Sequence, residues 1–254
     1  MAETATEFSG QAVLVTGGGG GIGRAIGYAF ALRGAAVHLL DRDAGAAQLA
    51  ADEFVDLGLA ARGWAMDVTD EASVEAVMAE IAAAGGIDVL VNNAGIAIRA
   101  ATTELPISAW EKVIGVNQTG VFVCSRTAAR HMSGRGGAIV NVASIMGLSG
   151  GGIYPNISYQ ASKGAVVNMT RALAVEWASR NIRVNAVAPT FVRTELTRGL
   201  FENPETVAQI LALTPLRQFA EPEDVAAAVV FLASPAARMI TGAILPVDGG
   251  FLAQ

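Results

Sequence analysis

One cysteine stands in 254 residues, and charge is scarce as well. A single thiol excludes an internal disulfide and any metal site built from several cysteines. Cys124 lies in the apolar run Val121-Phe122-Val123-Cys124, which marks it as a small buried hydrophobe and not a nucleophile. Charged residues are 16% of the chain, against roughly 25% in average domains. The 17 basic and 23 acidic residues give a formal charge of −6. No Lys/Arg stripe offers the clustered cations that nucleic-acid phosphates require, so nucleic acid is not an expected partner. No uncharged apolar stretch reaches about 18 residues, so no membrane span is expected. The opening Met1-Ala2-Glu3-Thr4-Ala5-Thr6-Glu7 is acidic where a secretory signal is basic. The expectation is a soluble cytoplasmic protein. His38 and His131, the two histidines, lack paired ligand spacing, so no metal is expected. Trp64, Trp110 and Trp177 read as packing residues, since nothing arranges them as a stacking platform.

Hydrophobic residues, by contrast, make up 52% of the chain. They fall in short β-rich runs at 12–15, 36–40, 60–66, 87–91, 138–142, 182–187 and 243–247. Longer segments with helical spacing alternate with them, at 22–32, 44–57, 71–84, 109–132, 159–179 and 222–232. Such alternation implies βαβ units around a parallel sheet, and the continuous apolar runs imply helices on both faces. The fold class expected is α/β, a doubly wound sheet of about seven parallel strands in a single domain over 1–254. The least regular stretch, about 189–215, is expected to be a substrate-loop insertion. Ligands of such sheets bind beyond the carboxyl ends of the strands.

After the first strand comes Thr16-Gly17-Gly18-Gly19-Gly20-Gly21-Ile22-Gly23, and then a helix. Glycines there let the backbone turn tightly and approach a pyrophosphate at the helix N-terminus. No Gly-Lys-Ser/Thr follows, which excludes a nucleoside-triphosphate loop. The second strand ends in Asp41, whose carboxylate can accept both hydroxyls of an adenosine ribose and repel a 2′-phosphate. That favours NAD over NADP, although Arg42 beside it is a natural phosphate partner.

Tyr159-Gln160-Ala161-Ser162-Lys163 opens a helix and sets Tyr159 and Lys163 four apart on one face. A neighbouring ammonium stabilises a phenolate and suits the tyrosine to proton transfer. Ser144 follows one strand, Asn92-Asn93-Ala94-Gly95 follows another, and Asn117 lies in the long helical segment beyond.

With these motifs the chain, from about Gln11 to Gly250, resembles the short-chain dehydrogenase/reductase family in its branch of about this length, with some similarity to polyol and sugar-alcohol dehydrogenases. The resemblance implies a Rossmann-type fold and an oxidoreductase of secondary alcohols. Tyr159 would be the general acid/base, and Ser144 would polarise the substrate oxygen. Lys163 would lower the Tyr159 pKa and bind the nicotinamide ribose, and Asn117 would hold a water in a relay with Lys163. Gly17, Gly21, Ile22 and Gly23 match the pyrophosphate turn, Asp67 and Val68 the pair flanking adenine, and Asn93, Ala94 and Gly95 the strand-end motif. Pro189, Val192 and Thr194 match cofactor positions at the nicotinamide end, with Val187 near them. A basic residue often precedes the second motif glycine in NADP-using relatives, and Gly20 stands there.

The family usually carries Gly after Asn185-Ala186-Val187-Ala188-Pro189, where this chain has Thr190, so a local difference is expected. Ser144 and Tyr159 are 15 positions apart, as in members that oxidise polyols, although Met146-Gly147-Leu148-Ser149-Gly150-Gly151-Gly152-Ile153 between them is apolar and glycine-rich. The expected function is NAD(H)-dependent interconversion of a secondary alcohol, a polyol or sugar alcohol favoured, and its ketone. The alternatives are an NADPH-dependent 3-oxoacyl-[acyl-carrier-protein] reductase and a non-catalytic dinucleotide-binding sensor or scaffold. The resemblance also implies a homo-tetramer packed through segments 109–132 and 159–179 and the C-terminal end.

Overall fold

A computed structural model describes residues 6–150 and 153–254. The acidic opening through residue 5, and Gly151-Gly152 of the spacer before Tyr159, lie outside the described residues. Seven strands form one parallel sheet: β1 (Ala12–Thr16), β2 (Ala36–Asp41), β3 (Ala61–Ala65), β4 (Val89–Asn92), β5 (Gly137–Val142), β6 (Ile182–Pro189) and β7 (Ile244–Val247). Their order is β3-β2-β1-β4-β5-β6-β7, so the direction of winding reverses between β1 and β4. The connecting helices are α1 (Gly21–Ala31), α2 (Ala44–Asp56), α3 (Glu71–Gly85), α4 (Ile107–Ile114), α5 (Gly120–His131), α6 (Ile157–Trp177), α7 (Arg198–Phe201), α8 (Pro204–Ala212) and α9 (Pro222–Ala233).

Strand parity divides the core. Val13 and Val15 of β1 join Ile26 and Phe30 of α1, Phe54 of α2 and Val229 of α9 on one face. Leu14 points the other way, into a cluster with Met78 of α3, Cys124 of α5 and Trp177 of α6. Cys124 is fully buried, and desolvation pushes its thiol up to about 12, so it is a packing residue with no thiolate chemistry at neutral pH.

The segment expected as one helix over 109–132 begins at Ile107 and is interrupted by a π turn at Gly115–Thr119. Helical spacing alone does not reveal such a one-residue insertion, and π turns collect at functional positions. Here it carries Asn117. At Thr190, where a local difference was expected, the N–H donates to Val247 O at 3.1 Å and extends the β6–β7 ladder. Among the described residues only Asn181 and Arg217 hold positive φ without being glycine, so a β-branched residue fits there without strain. Beyond it the 189–215 stretch is ordered into α7 and α8, tied back by a parallel bridge from Val192 to Ala220.

His38, on β2, accepts a hydrogen bond from Trp64 Nε1 at 3.0 Å. Burial, and then the nearby Arg62 guanidinium, lower its pKa from 6.5 to about 4. The unfolded chain therefore binds more protons than the folded one between pH 4 and 6.5, and stability falls as pH drops through that window. Thermal denaturation should show a loss of about 2 kcal/mol between pH 7 and pH 4 from this group, after allowance for solvent screening. His38→Phe should remove that part of the slope, and an unchanged pH profile would refute the assignment.

Candidate active site

The carboxyl ends of β1, β2, β4, β5 and β6 open on a crevice at the winding reversal, where doubly wound sheets take their ligands. It consists of two adjoining clefts of about 340 and 600 Å³, which share Gly17, Asp41, Ala94 and Gly95. The first is walled by Gly17, Gly21, Ile22, Asn93, Ser144, Tyr159, Lys163, Pro189, Val192 and Thr194. The second is walled by Arg42, Asp67, Val68, Thr69, Lys112 and Val116.

Backbone geometry explains the glycine turn. Gly17 has φ +64° and Gly21 φ +50°, conformations that side-chain-bearing residues rarely adopt. A Cβ on Gly23 would stand 2.1 Å from Gly17 O and 2.6 Å from Asn93 Nδ2. Gly23 thus lies beneath the turn and walls neither cleft; its role is to let α1 approach β1. The N-termini of α2 and α3 are capped by the Asp43 and Asp70 carboxylates, which accept from Ala46 N and Ala72 N. α1 follows Gly20 without a side-chain cap or an acidic first turn, which leaves its amide groups free for an anion. Glycines without room for a Cβ and an uncapped helix start fit a pyrophosphate, so the chain's residues suit a dinucleotide.

Asn93 fixes the turn from the side: its Nδ2 donates to Thr16 O at 3.0 Å and Gly17 O at 3.1 Å. Thr16 Oγ1 accepts from Asn93 N and Ala94 N, each at 3.0 Å, and so ties the ends of β1 and β4 together. Sequence reasoning gave Thr16 no role. At the end of β2, Asp41 accepts from Gly19 N at 3.2 Å and Asp43 N at 3.1 Å, which aims its carboxylate at the junction of the clefts. Asp67 accepts from the backbone N–H and hydroxyl of Thr69 at 2.8 and 2.7 Å, and these bonds hold its pKa below the usual carboxylate value.

At the reactive end, Tyr159 and Lys163 lie in the first turns of α6, and Ser144 follows β5. Burial raises the Tyr159 pKa, and the Ser144 hydroxyl beside it pulls it partly back; the Tyr154 phenol adds to the rise and the Arg99 guanidinium opposes it. Ser144 Oγ also accepts from Met146 N at 3.1 Å, which fixes its orientation. Lys163 Nζ donates to Val142 O at 2.6 Å and lies 5.6 Å from the centroid of the Tyr159 ring, while burial lowers its own pKa to about 8. Asn117 is fully buried behind the cleft. Its Oδ1 accepts from Ile96 N at 2.8 Å, and its Nδ2 donates to Ile96 O at 2.9 Å and Ser162 Oγ at 3.1 Å. The asparagine clamps the loop after β4 onto α6. Val187 is buried inside β6 and walls neither cleft.

A recess of about 50 Å³ adjoins Tyr159, lined by Ser144, Tyr159 and Thr190 together with Arg99, Tyr154, Asn156 and Leu196. Sequence reasoning did not find Arg99, Tyr154 or Asn156, because each stands in an irregular stretch with no motif of its own. Among the described residues no cluster of three His, Cys, Asp or Glu side chains is placed to hold a metal ion, and no helix is long and apolar enough to cross a membrane.

A dinucleotide crevice ending in Ser144, Tyr159 and Lys163 defines an NAD(P)-dependent oxidoreductase of CH–OH groups. A family model described as enoyl-(acyl carrier protein) reductase matches residues 17–252. A galactitol 2-dehydrogenase (L-tagatose-forming) from Cereibacter sphaeroides is 47% identical over 249 residues, 98% of this chain and 97% of the relative. A cis-4-hydroxycyclohexanecarboxylate dehydrogenase from Sinomonas cyclohexanicum is 47% identical over 250 residues, 97% of this chain and 98% of the relative. The solved structure of a protein described as an NAD(P)-dependent gluconate 5-dehydrogenase from Beutenbergia cavernae, with NADP bound at low occupancy, is 43% identical. It superposes with a TM-score of 0.90 over 97% of this chain and 98% of that one. The chain belongs to the short-chain dehydrogenase/reductase family.

Proposed function

We propose that this enzyme oxidises a polyol-type secondary alcohol to its ketone, and catalyses the reverse reaction, with NAD in preference to NADP. The observation that carries the cofactor reading is the Asp41 carboxylate, held at the junction of the clefts by Gly19 N and Asp43 N. It would accept the ribose hydroxyls and repel a 2′-phosphate, and Gly20 adds no compensating cation. A second reading, NADP use, is favoured by Arg42 in the wall of the second cleft and by the NADP bound in the Beutenbergia cavernae structure.

The nicotinamide, when bound, supplies the hydride acceptor or donor. The protein's own part is proton handling and orientation. Ser144 donates a hydrogen bond to the substrate oxygen, and Tyr159 takes the hydroxyl proton during oxidation or returns it during reduction. Lys163, oriented by Val142 O, holds the nicotinamide ribose and favours the phenolate once the site is filled. Asn117 positions the loop bearing Ile96 and the adjacent water relay. Asp67 and Val68 receive the adenine, and Thr194 the carboxamide or phosphate. The segment 189–215 serves as the substrate lid of a single domain. Assembly as a homo-tetramer through α5 and α6 is supported by their exposed apolar side chains Phe122 and Val175.

Initial rates with NAD and NADP test the cofactor reading. Wild type should prefer NAD, and Asp41→Ser should move the kcat/KM ratio toward NADP by about 100-fold, the size expected from losing charge-assisted hydrogen bonds and a phosphate repulsion together. A wild-type preference for NADP would overturn it.

A further inference from the structure

We propose that Arg99 binds a substrate carboxylate, so that the preferred substrates are polyhydroxy acids rather than neutral alditols. The proposal deepens the polyol reading and rests on it. Among the described residues Arg99 is the one cation in the wall of the recess beside Tyr159, and no Asp or Glu shares that wall. Among the described residues no carboxylate pairs with Arg99, although eight other arginines form such pairs. Its contacts are Leu196 O at 3.3 Å and the Tyr154 ring, 4.7 Å from the centroid. Neither neutralises its charge, and its planar donor fork suits a carboxylate.

Two neutral groups in the same wall are also without partners. Asn156 is 5% exposed, and among the described residues its Oδ1 has no hydrogen-bond partner; the Thr190 Oγ1 is buried and likewise unpaired among them. Buried polar atoms are normally hydrogen-bonded, so two orphans beside the reacting tyrosine point to hydroxyl groups that arrive with the substrate. Thr190 is the residue that replaces the usual family glycine, which gives that departure a chemical use. A lone cation and two neutral hydrogen-bonding groups match a hydroxylated chain that ends in an anion. The Arg99 guanidinium is also near enough to Tyr159 to oppose the rise in its pKa, which places the charge within reach of the reacting end.

The experiment compares D-gluconate with D-glucitol, equal in length and differing at one terminus, in initial-rate oxidation by wild type, Arg99→Gln and Arg99→Lys. Wild type should favour gluconate. Arg99→Gln should lower kcat/KM for gluconate by about 10–100-fold, mainly through KM, and leave glucitol within about threefold. Arg99→Lys should restore part of the loss. Equal losses on both substrates, or none on gluconate, overturn the proposal and leave Arg99 as a strut to Leu196. If wild type oxidises neither substrate, the polyol reading fails, and the anion site is judged by titrating the enzyme–NADH complex with D-gluconate while following nicotinamide fluorescence. Binding that weakens in Arg99→Gln sustains the site, and absent or unchanged binding removes it.

Discussion

Tyr159→Phe is expected to lower kcat by about 10²–10⁴-fold, the usual contribution of a positioned acid/base, while leaving the dissociation constant for the oxidised cofactor within a few-fold. The substitution removes one oxygen from a side chain whose ring stays packed near Ile145 and Met146, so the wall of the cleft survives. What disappears is the atom that Ser144 faces and that, in the proposed mechanism, takes the substrate proton. Burial holds the wild-type phenol above its ordinary pKa, so alcohol oxidation should rise with pH as the phenolate fraction grows. Stopped-flow rates and a fluorescence titration of cofactor separate the two quantities. Turnover within threefold of wild type would remove Tyr159 from the chemistry and leave the dinucleotide crevice intact.

Gly23→Ala should be nearly as damaging, through the fold of the site and not its chemistry. The added methyl would meet Gly17 O at 2.1 Å and Asn93 Nδ2 at 2.6 Å, and these two groups are hydrogen-bonded to each other. Relief requires α1 to back away from β1, which breaks the Asn93 clamp and displaces the uncapped amides of the helix start. Overpacking of this kind costs about 3 kcal/mol, which for a chain of this size lowers Tm by about 6–12 °C. Cofactor affinity should fall at least 100-fold, since the helix start no longer meets the pyrophosphate. Calorimetry and a cofactor titration measure both. A Tm within two degrees of wild type would show that the turn can yield.

Much of this was already readable along the chain. Short apolar runs alternating with helical segments gave the parallel sheet, because a strand buried on both faces must be apolar throughout. The glycine turn, Asp41, Ser144, Tyr159 and Lys163 were found because local chemistry constrains them: tight backbone, a strand end, or a fixed helical offset. Tyr159 and Lys163 do lie on one turn of α6, as four-residue spacing requires. Asn117 was legible as a motif residue, but its π turn was not, since an extra backbone residue per turn leaves no mark in the apolar period.

Other properties depended on the tertiary structure. Gly23 and Asn117 stand behind the crevice and shape it through Gly17 O and Ile96, contacts between segments distant in sequence. The lysine expected to lower the tyrosine's pKa does not do so in the folded chain: burial raises the phenol, and it is Ser144 and Arg99 that oppose the rise. Arg99, Asn156 and Thr190 come from three separate connections and meet only because β4, β5 and β6 end side by side. The sequence by itself determined the fold, the dinucleotide class of cofactor and the candidate reacting groups, because each rests on local spacing or composition. Tertiary structure alone assembled the recess beside Tyr159, since the unpaired groups on which the proposed specificity rests are brought together only by the folded sheet.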